Sequence, residues 1–332
     1  MKNTQNPKTV LQILKDADIR LSGEKIAQEL NISRAAVWKR IEKLREEGFK
    51  IDAQPRSGYS LTSSPDALIP EEIESGLDQE SMFAGNIIYY KTIDSTNLIA
   101  KKMAVDGAVE GTIVIAEEQT RGRGRLNRQW ISPPNKNILF SIIFRPQILL
   151  AQLFSLTMLT SLSVVKAITK SSGLKAMIKW PNDIYINRLK AGGILTEFDG
   201  EQDRINFVVV GIGLNVNFDP SLSNDIQNGA TSLSRELGEK ISRVKLLREI
   251  LKEINKYYNL IKIDKIYQIH KEWNSYSLIT GEPVRITSFN STEDGVAESV
   301  DADGCLIFRD LNGKRKKIVF GDVSLRVVEK GC

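Results

Sequence analysis

Histidine and cysteine are scarce in this sequence of 332 residues. His270 is the only histidine, and Cys305 and Cys332 are the only cysteines. A lone histidine argues against Ser-His-Asp catalysis, histidine proton relays and zinc sites with several histidine ligands. His270 has polar and charged neighbours, so we expect it on the surface of a helix. Two cysteines cannot form a disulfide framework, which fits a reducing cytoplasm. The chemistry must therefore depend on positioning and charge.

Long apolar runs are also missing. The first 17 residues are polar, without the apolar segment of a secretory signal. Residues 146–165 carry no charge, but they include seven Gln, Ser or Thr side chains. A helix of about 20 apolar residues would span a bilayer. The interrupting polar groups instead favour a core helix beneath a sheet, so we expect a cytoplasmic protein with no membrane segment.

Positive charge is concentrated at the N-terminal end. Residues 1–62 hold 12 Lys and Arg against 8 Asp and Glu, a net charge of +4, whereas the remaining residues hold 34 against 33. Nucleic-acid affinity comes largely from cationic contacts to phosphates. A chain of this length also predicts two or three domains, at about 100–200 residues each. The first of them is therefore a candidate for binding DNA.

The first 62 residues follow a winged helix-turn-helix pattern. One amphipathic helix begins at Val10, a second follows Ser22, and a third follows Ser33 and ends before Gly48. Serine at these positions is a typical N-cap, and glycine a typical C-terminal stop. Residues 49–61 then predict two short strands, a wing. The alternative is a winged helix that contacts only proteins.

The third helix combines an apolar stripe with a basic face. Val37, Ile41 and Leu44 repeat at helical spacing and predict the buried side. We expect Trp38 to pack with them, although it could instead contact DNA. The predicted DNA-binding residues lie on the opposite face and at the wing tip: Ser33, Arg34, Ala36, Lys39, Arg40, Lys43 and Arg56.

Four arginines and two glycines fall within eight residues of a second segment, residues 119–130, which we call the arginine loop. Glycine allows close backbone approach, and arginine offers planar donor pairs that match phosphate oxygens. The pattern predicts a cationic loop that closes over an anion. A solvated surface loop or an arginine–glycine contact to nucleic acid would have the same composition.

Three further motifs downstream of this loop, and one upstream of it, make its interpretation more specific. Lys-Trp-Pro-Asn-Asp lies at residues 179–183, Lys-Ala-Gly-Gly-Ile-Leu at 190–195, and Gly-Ile-Gly-Leu-Asn at 211–215; Asp-Ser-Thr-Asn lies upstream at 94–97. Together with the arginine loop, and in this order, they resemble the motif set of biotin protein ligases over residues 80 to 330. With the N-terminal segment included, the chain resembles the bifunctional form, ligase plus biotin operon repressor.

Strand and helix patterns predict an α+β multidomain protein. The middle of the chain alternates strand-like runs at 87–90, 112–116, 138–144, 177–180 and 205–210 with helical patterns at 97–105, 153–170 and 244–261. This indicates a central domain with one sheet backed by helices. Short strands after residue 279, with turns at Asp303-Gly304 and Asn312-Gly313, predict a small β-barrel, similar to the family's SH3-like domain. We expect domains at 1–64, 65–277 and 278–332.

The resemblance implies a two-step reaction. Biotin and ATP give biotinyl-5′-adenylate, which then acylates a lysine of a biotin-accepting carboxylase subunit. Lys190, Arg123 and Arg125 are the implied catalytic residues. The implied ligand-binding set adds Ser95, Thr96, Asn97, Gln119, Gly122, Gly124, Trp130, Lys179, Asn182, Asp183 and Asn215. Leu126-Asn127 replaces a basic–glycine pair that is common in the family's loop, which puts loop flexibility in doubt.

Ligands and partners follow from the same resemblance. Biotin is the substrate, ATP and Mg²⁺ are co-substrates, and Asp183 or Asn215 would help place the metal without a dedicated metal motif. The implied partners are a biotin carboxyl carrier protein or similar acceptor domain and operator DNA, with a homodimer forming when the adenylate is bound. Three alternatives remain: a lipoate- or octanoate-transferring relative, a ligase with a vestigial winged helix, and a repressor whose ligase activity has decayed.

Overall fold

A computed structural model describes residues 9–54, 57–78, 80–201, 204–220, 229–287, 292–319 and 324–327. The chain divides into two compact units, Met1–Leu77 and Asp78–Cys332. The first unit contains, in chain order, helices α1 (Val10–Lys15), α2 (Gly23–Leu30) and α3 (Arg34–Glu46), strands β1 (Lys50–Gln54) and β2 (Gly58–Ser63), and helix α4 (Pro70–Glu74).

Short-range capping defines the helices of the first unit. Ser22 Oγ accepts a hydrogen bond from Lys25 N at 3.1 Å, and Ser33 Oγ accepts one from Ala36 N at 3.2 Å. Between α2 and α3, Asn31 adopts the left-handed region with φ of 51°, which ends α2 and makes the tight turn. Strands β1 and β2 pair antiparallel as a wing. The predicted winged helix-turn-helix is confirmed; the wing-tip residue Arg56 lies outside the described residues.

The packing expected for Trp38 is wrong. Val37 and Ile41 are completely buried, as the stripe predicts, but the Trp38 side chain is 54% exposed. Trp38 follows Val37 directly, so a helical turn of 100° per residue carries it away from the buried stripe.

A seven-stranded sheet forms the centre of the second unit. Its strands are β3 (Ile87–Tyr90), β4 (Ile113–Ala116), β5 (Ile138–Phe144), β6 (Ala176–Lys179), β7 (Asp183–Ile186), β8 (Leu189–Glu201) and β9 (Arg204–Leu214), in the order β3-β4-β5-β9-β8-β7-β6. Only β3 and β4 pair in parallel. The helices are α5 (Thr96–Val105), α6 (Phe154–Ser172), α7 (Leu233–Leu237), α8 (Arg243–Lys262) and α9 (Ile266–Ser275). The prediction of one sheet backed by helices is confirmed.

Helix α6 is the core helix of this unit. By length and composition the segment Leu150–Ser172 could cross a membrane, but 78% of its most apolar window is buried inside the fold. Several of its hydroxyl groups hydrogen-bond within the helix: Thr160 Oγ1 and Ser163 Oγ donate to the carbonyls four residues earlier at 2.7 Å. Ser161 Oγ in addition accepts from Trp273 Nε1 at 2.9 Å, which joins α6 to α9.

A separate sheet follows the helices. Its strands are β10 (Pro283–Thr287), β11 (Thr292–Val300), β12 (Leu306–Asp310), β13 (Arg315–Ile318) and β14 (Ser324–Val327), all antiparallel, in the order β13-β12-β11-β10-β14. Both predicted hairpin turns are present, with Gly304 and Gly313 at φ of 81° and 80°. In the described residues this sheet is open, because β13 and β14 do not pair.

The β11–β12 turn contacts the core helices. Gly304 O accepts a hydrogen bond from the buried Trp180 Nε1 at 2.9 Å. His270 lies nearby on α9, half-buried, with Nε2 3.2 Å from Ser155 Oγ. The surface position expected for His270 is therefore wrong. Burial lowers the pKa of His270, against the opposing charges of Asp301 and Asp303.

Replacing Gly304 with alanine tests how tightly this turn is packed. A Cβ at Gly304 would lie 1.9 Å from Phe154 Cδ1, whereas a Cβ at Gly313, which has nearly the same φ, would meet nothing within 4 Å. Gly313→Ala therefore isolates the left-handed backbone cost of roughly 1–2 kcal/mol. We expect Gly304→Ala to lower the free energy of unfolding by about 1–3 kcal/mol more, measured by urea denaturation. Equal losses for the two variants would contradict the packing described.

Candidate active site and DNA-binding face

A cavity of about 980 Å³ opens on one face of the central sheet. Its floor is formed by alternate residues of β8 and β9, where Gly193 pairs with Gly213 and Leu195 pairs with Gly211. Alternate residues of a strand point to the same face. Three of the four floor positions therefore carry no side chain.

The glycines of the floor let two side chains lie against the sheet. A Cβ at Gly211 would lie 1.9 Å from Asn97 Oδ1, and a Cβ at Gly213 would lie 2.7 Å from Trp130 Cε2. Real Cβ atoms essentially never lie within 3.0 Å of a heavy atom to which they are not bonded. Glycine is thus required at 211 and 213 for Asn97 and Trp130 to occupy the positions they have.

A neutral hydrogen-bond network surrounds the N-terminus of α5. Gln119 Oε1 accepts from Thr96 N at 2.7 Å and from Thr96 Oγ1 at 3.1 Å, which fixes the orientation of the Gln119 amide. The buried Ser141 Oγ lies 2.8 Å from Thr96 Oγ1. Ser95 is the N-cap residue of α5, yet its side chain makes no capping hydrogen bond.

Asn97 is oriented from both ends of its amide. Its Oδ1 accepts from Ser141 Oγ at 2.6 Å, and its Nδ2 donates to Glu197 Oε2 at 2.8 Å. Glu197 Oε1 is also 3.7 Å from Arg123 Nη1. Glu197 thus links the neutral end of the cavity to the arginine loop.

The other end of the cavity is cationic. Lys190 Nζ is 2.6 Å from Asp183 Oδ1 and 6.0 Å from the centre of the Trp130 ring. Arg125 Nη1 donates to Asn182 Oδ1 at 3.3 Å, and Asn182 Nδ2 in turn donates to Ile194 O at 2.6 Å. These contacts hold two cations of different motifs over the same glycine-lined floor.

Lys179 adds a third cation beside a tyrosine. Its Nζ donates to the Tyr185 hydroxyl at 3.3 Å and lies 5.1 Å from the centre of the Tyr185 ring. Burial, followed by the charge of Asp183, raises the pKa of Tyr185 to about 12. Tyr185 therefore stays neutral at physiological pH and adds no negative charge to the cavity.

The arginine loop forms a tight hairpin above the cavity. Gly124 N donates to Arg128 O at 2.7 Å, and Trp130 N donates to Gly122 O at 2.9 Å. Leu126, at its tip, has φ of 53° and is 66% exposed. The paired backbone aligns the loop's side chains along the cavity, including Arg123, Arg125 and Arg128.

All the predicted ligand-binding residues line this one cavity, except Gly122. Gly122 instead packs closely against the backbone of Trp130: a Cβ at position 122 would lie 2.3 Å from Trp130 O. Lys190 lies near the start of the 13-residue strand β8. The backbone of Lys190 is held by the segment 229–231: Lys190 N donates to Gly229 O at 2.7 Å, and Lys190 O accepts from Thr231 N at 2.8 Å.

Three residues of the site were missed by the sequence analysis: Ser141, Glu197 and Tyr185. Ser141 could have been found, because it is the one polar residue in the otherwise apolar and fully buried strand β5. Glu197 and Tyr185 lie within or next to the quoted motifs, but nothing local marks them. Their contacts join segments far apart in the chain.

Two buried polar atoms in the cavity wall lack a hydrogen-bond partner among the described residues, Asn215 Oδ1 and Trp130 Nε1. Asn215 is 5% exposed, and its Nδ2 already donates to Thr231 O at 3.1 Å. A buried acceptor without a partner costs about 1–3 kcal/mol. Asn215 Oδ1 is therefore a position where a donor or a cation from a ligand would be favourable.

The predicted DNA-binding residues of α3 are solvent-accessible. Ser33, Arg34, Lys39, Arg40 and Lys43 are exposed, and Ala36 is partly exposed. Lys43 Nζ lies 3.6 Å from Glu47 Oε1, an exposed pair that costs little to separate. Across the described part of α3, cations therefore surround the helix away from its buried stripe.

Comparison with known proteins defines the class of this fold and site. The family model described as "Biotin/lipoate A/B protein ligase family" matches residues 89–215, the model "HTH domain" matches 8–60, and the model "Biotin protein ligase C terminal domain" matches 279–326. The biotin protein ligase of Aquifex aeolicus, solved with biotin and ATP, superposes with a TM-score of 0.64 at 28% identity. The superposition includes the whole of the Aquifex protein and 74% of this chain.

The similarity to known proteins also extends over the N-terminal unit. The bifunctional ligase/repressor BirA of Bacillus subtilis is 40% identical over 306 residues, 92% of this chain and 94% of that protein. The protein of the same name from Escherichia coli is 28% identical over 99% of this chain and its own full length. The chain belongs to the family of bifunctional ligase/repressor BirA proteins.

Proposed function

We propose that the glycine-lined cavity joins biotin to ATP. The observation that carries this proposal is the charge of the cavity: five cations, Arg123, Arg125, Arg128, Lys179 and Lys190, outnumber the two acids paired with them, Asp183 and Glu197. A ligand with several negative charges fits such a lining. In the reaction, a biotin carboxylate oxygen attacks the α-phosphorus of ATP, the bond to the β-phosphate oxygen breaks, and pyrophosphate leaves.

Lys190 stands where the two anions must approach each other. The carboxylate and the α-phosphate repel, so bringing them together requires a fixed positive charge between them. Asp183 holds Lys190 Nζ at 2.6 Å, and Gly193, whose Cβ position lies 3.7 Å from that nitrogen, keeps the space around it open. We assign Lys190 to neutralise both reactants and the negative charge that develops in the transition state.

The arginine loop would complete the site. Arg123 and Arg125 reach Glu197 on β8 and Asn182 in the β6–β7 turn, so the loop spans the place where the adenylate would form. A loop over the mixed anhydride excludes water, which would otherwise hydrolyse it. In the second step a lysine amine of the acceptor attacks the acyl carbon, loses its proton, and releases AMP as the amide forms.

The neutral end of the cavity suits the biotin ring system. The oriented amides of Gln119 and Asn97, with the hydroxyls of Ser95 and Thr96, offer donors and acceptors without charge, as a ureido group requires. Trp130 lies against the glycine floor between this end and Lys190 and would contact the aliphatic tail. A neutral end and a cationic end in one cavity suit a ligand with a neutral head and an anionic end.

The nucleotide would occupy the cationic end beside Lys179, Asn182, Asp183 and Asn215. Mg²⁺ is an ion usually held by phosphates with one or two protein oxygens, so a nucleotide at this end would bring most of its ligands. The unpartnered Asn215 Oδ1 and the Asp183 carboxylate are the candidate oxygens. Bound there, the ion would neutralise phosphate charge.

The N-terminal unit supports a second role as a repressor of biotin genes. We propose that the adenylate acts as corepressor and that the ligand-bound chain forms a homodimer, so that two winged helices reach two operator half-sites. The exposed cations of α3 support the DNA contact. A vestigial winged helix is the alternative, and it would lack measurable operator affinity.

The remaining proposals concern the domain boundaries, the C-terminal sheet, the acceptor protein and the cellular location. We propose domain boundaries near residues 64 and 277, supported by family-model matches that end at 60 and begin at 279. The C-terminal sheet would close into an SH3-like barrel, supported by the register shift in β11, since bulges bend strands. It would assist engagement of ATP and of a biotin carboxyl carrier protein or similar acceptor domain. We place the protein in the cytoplasm, where its cysteines stay reduced.

Calorimetric titration tests the ligand class. Biotin is expected to bind the protein, and with MgATP present mass analysis is expected to recover biotinyl-adenylate from the complex. Lipoate and octanoate serve as matched competitors with the same carboxylate but no ureido ring. Tighter binding of either than of biotin would replace the proposal with the acyl-transferring alternative.

Lys190→Ala tests the catalytic assignment. Removing the charge between the two anions should lower the rate of pyrophosphate release about 10²–10³-fold, while the melting temperature stays close to that of the wild type. Lys101→Ala, at an exposed position of α5 outside the cavity, is the matched control. A wild-type rate for Lys190→Ala would remove Lys190 from its role.

Arg40→Ala tests the DNA-binding face. Loss of one phosphate contact should weaken operator binding and reduce the slope of log affinity against log salt by about 1. The measurement is fluorescence anisotropy over a series of KCl concentrations, with the adenylation rate followed in parallel. Unchanged affinity would contradict the assignment of Arg40 and the basic face of α3 to DNA binding.

A further inference from the structure

Trp38 is a large aromatic side chain on the exposed side of α3. It is 54% exposed, and Ile19 is the other large apolar side chain exposed in the described part of the first unit. Aromatic side chains of this size contribute strongly when they are buried in an interface. An exposed tryptophan on the third helix of a winged helix-turn-helix is therefore a candidate contact residue.

The position of Trp38 on the helix narrows the choice of partner. It is the fifth residue of α3, about 6 Å along the axis from Arg34, and one turn from Arg34, Ala35 and Glu42. In helix-turn-helix proteins the N-terminal residues of the second helix contact base edges in the major groove. Exposed Ala35 leaves the indole accessible on that side.

The charges around Trp38 favour duplex DNA. Arg34 and Lys39, next to it on the helix, are both exposed cations, and residues 1–62 carry a net charge of +4. Such a surface attracts phosphates, but phosphate contacts carry no sequence information. An uncharged ring among them can reach the bases instead, where the apolar group of the major groove is the C5-methyl of thymine.

We propose that Trp38 is a specificity-determining residue, and that its indole packs against a thymine C5-methyl in each operator half-site. The proposal rests on the DNA-binding function of this unit and adds a residue that reads the sequence. Lys39 and Arg40 contribute affinity through phosphates, whereas Trp38 distinguishes operator from other DNA.

The first experiment separates apolar from ionic contact. The probe is a labelled 40-base-pair duplex selected from random-sequence DNA by the wild-type protein with biotin and MgATP; an unrelated duplex of equal length is the comparison. We expect Trp38→Ala to bind the selected duplex about tenfold or more weakly, with unchanged affinity for unrelated DNA and an unchanged salt slope. Trp38→Phe, which keeps a ring, should lose less.

Lys39→Ala is the matched control on the neighbouring residue. It should weaken binding to both duplexes and lower the salt slope by about 1. If Trp38→Ala behaves like Lys39→Ala, or keeps full affinity, the proposal is overturned. Failure of the wild type to enrich any sequence would instead contradict the DNA-binding function itself.

The second experiment identifies the methyl group. Each thymine of the selected duplex is replaced in turn by deoxyuridine, which removes only the C5-methyl. One position in each half-site should weaken wild-type binding several-fold and have no further effect on Trp38→Ala, because the two changes remove the same contact. Additive losses at every thymine would exclude this contact.

A contact between two copies of the chain is the competing role for an exposed tryptophan. Sedimentation equilibrium of wild type and Trp38→Ala with biotin and MgATP, without DNA, distinguishes it. Equal dimerisation together with the selective loss of operator affinity supports the proposal. Loss of dimerisation in Trp38→Ala would assign the side chain to a protein interface and overturn it.

Discussion

A buried ion pair fixes the root of the arginine loop. Glu117 directly follows β4 and Asn137 directly precedes β5, so they bracket the whole loop. Arg243 Nη1, at the first turn of α8, donates to Glu117 Oε2 at 2.5 Å and to Asn137 O at 3.1 Å. Glu117 and Arg243 are at most 2% exposed, and loss of one partner of such a pair typically costs about 3–5 kcal/mol. The positions of the arginine-loop cations therefore depend on this buried ion pair.

The site has a rigid part, its floor, and an adjustable part, its walls. The floor is backbone within β8 and β9, whose pairing runs without interruption from Gly192 to Asp199. The walls are side chains held by single ion pairs or hydrogen bonds, such as Lys190 with Asp183 and Arg123 with Glu197. A fixed floor with polar walls of this kind lets ligand anions replace protein carboxylates as partners of the cations without movement of the sheet.

The sequence predicted what local rules determine. The caps at Ser22 and Ser33 and the strand at 138–144 depend on neighbouring residues, and they were placed correctly. The sequence analysis predicted no strand at 189–201, where two consecutive glycines weaken strand formation, yet this segment is β8. Gly193 is part of the cavity floor, while the glycines at 211 and 213 accommodate Asn97 and Trp130, neighbours distant in the chain. Trp38 was misplaced for a related reason: large aromatics are usually buried, and function can keep one exposed.

The hydrogen bond from Trp180 to Gly304 has a consequence for building chimeric ligases. Trp180 lies two residues before Asn182 in the same motif, and its indole donates to a turn more than a hundred residues later. Exchanging the C-terminal sheet between relatives would therefore change the support of the nucleotide-side motif, even though no residue of that motif is altered. A graft should carry the β6–β7 turn, the N-terminal turn of α6 with Phe154, and the β11–β12 turn as one inherited unit.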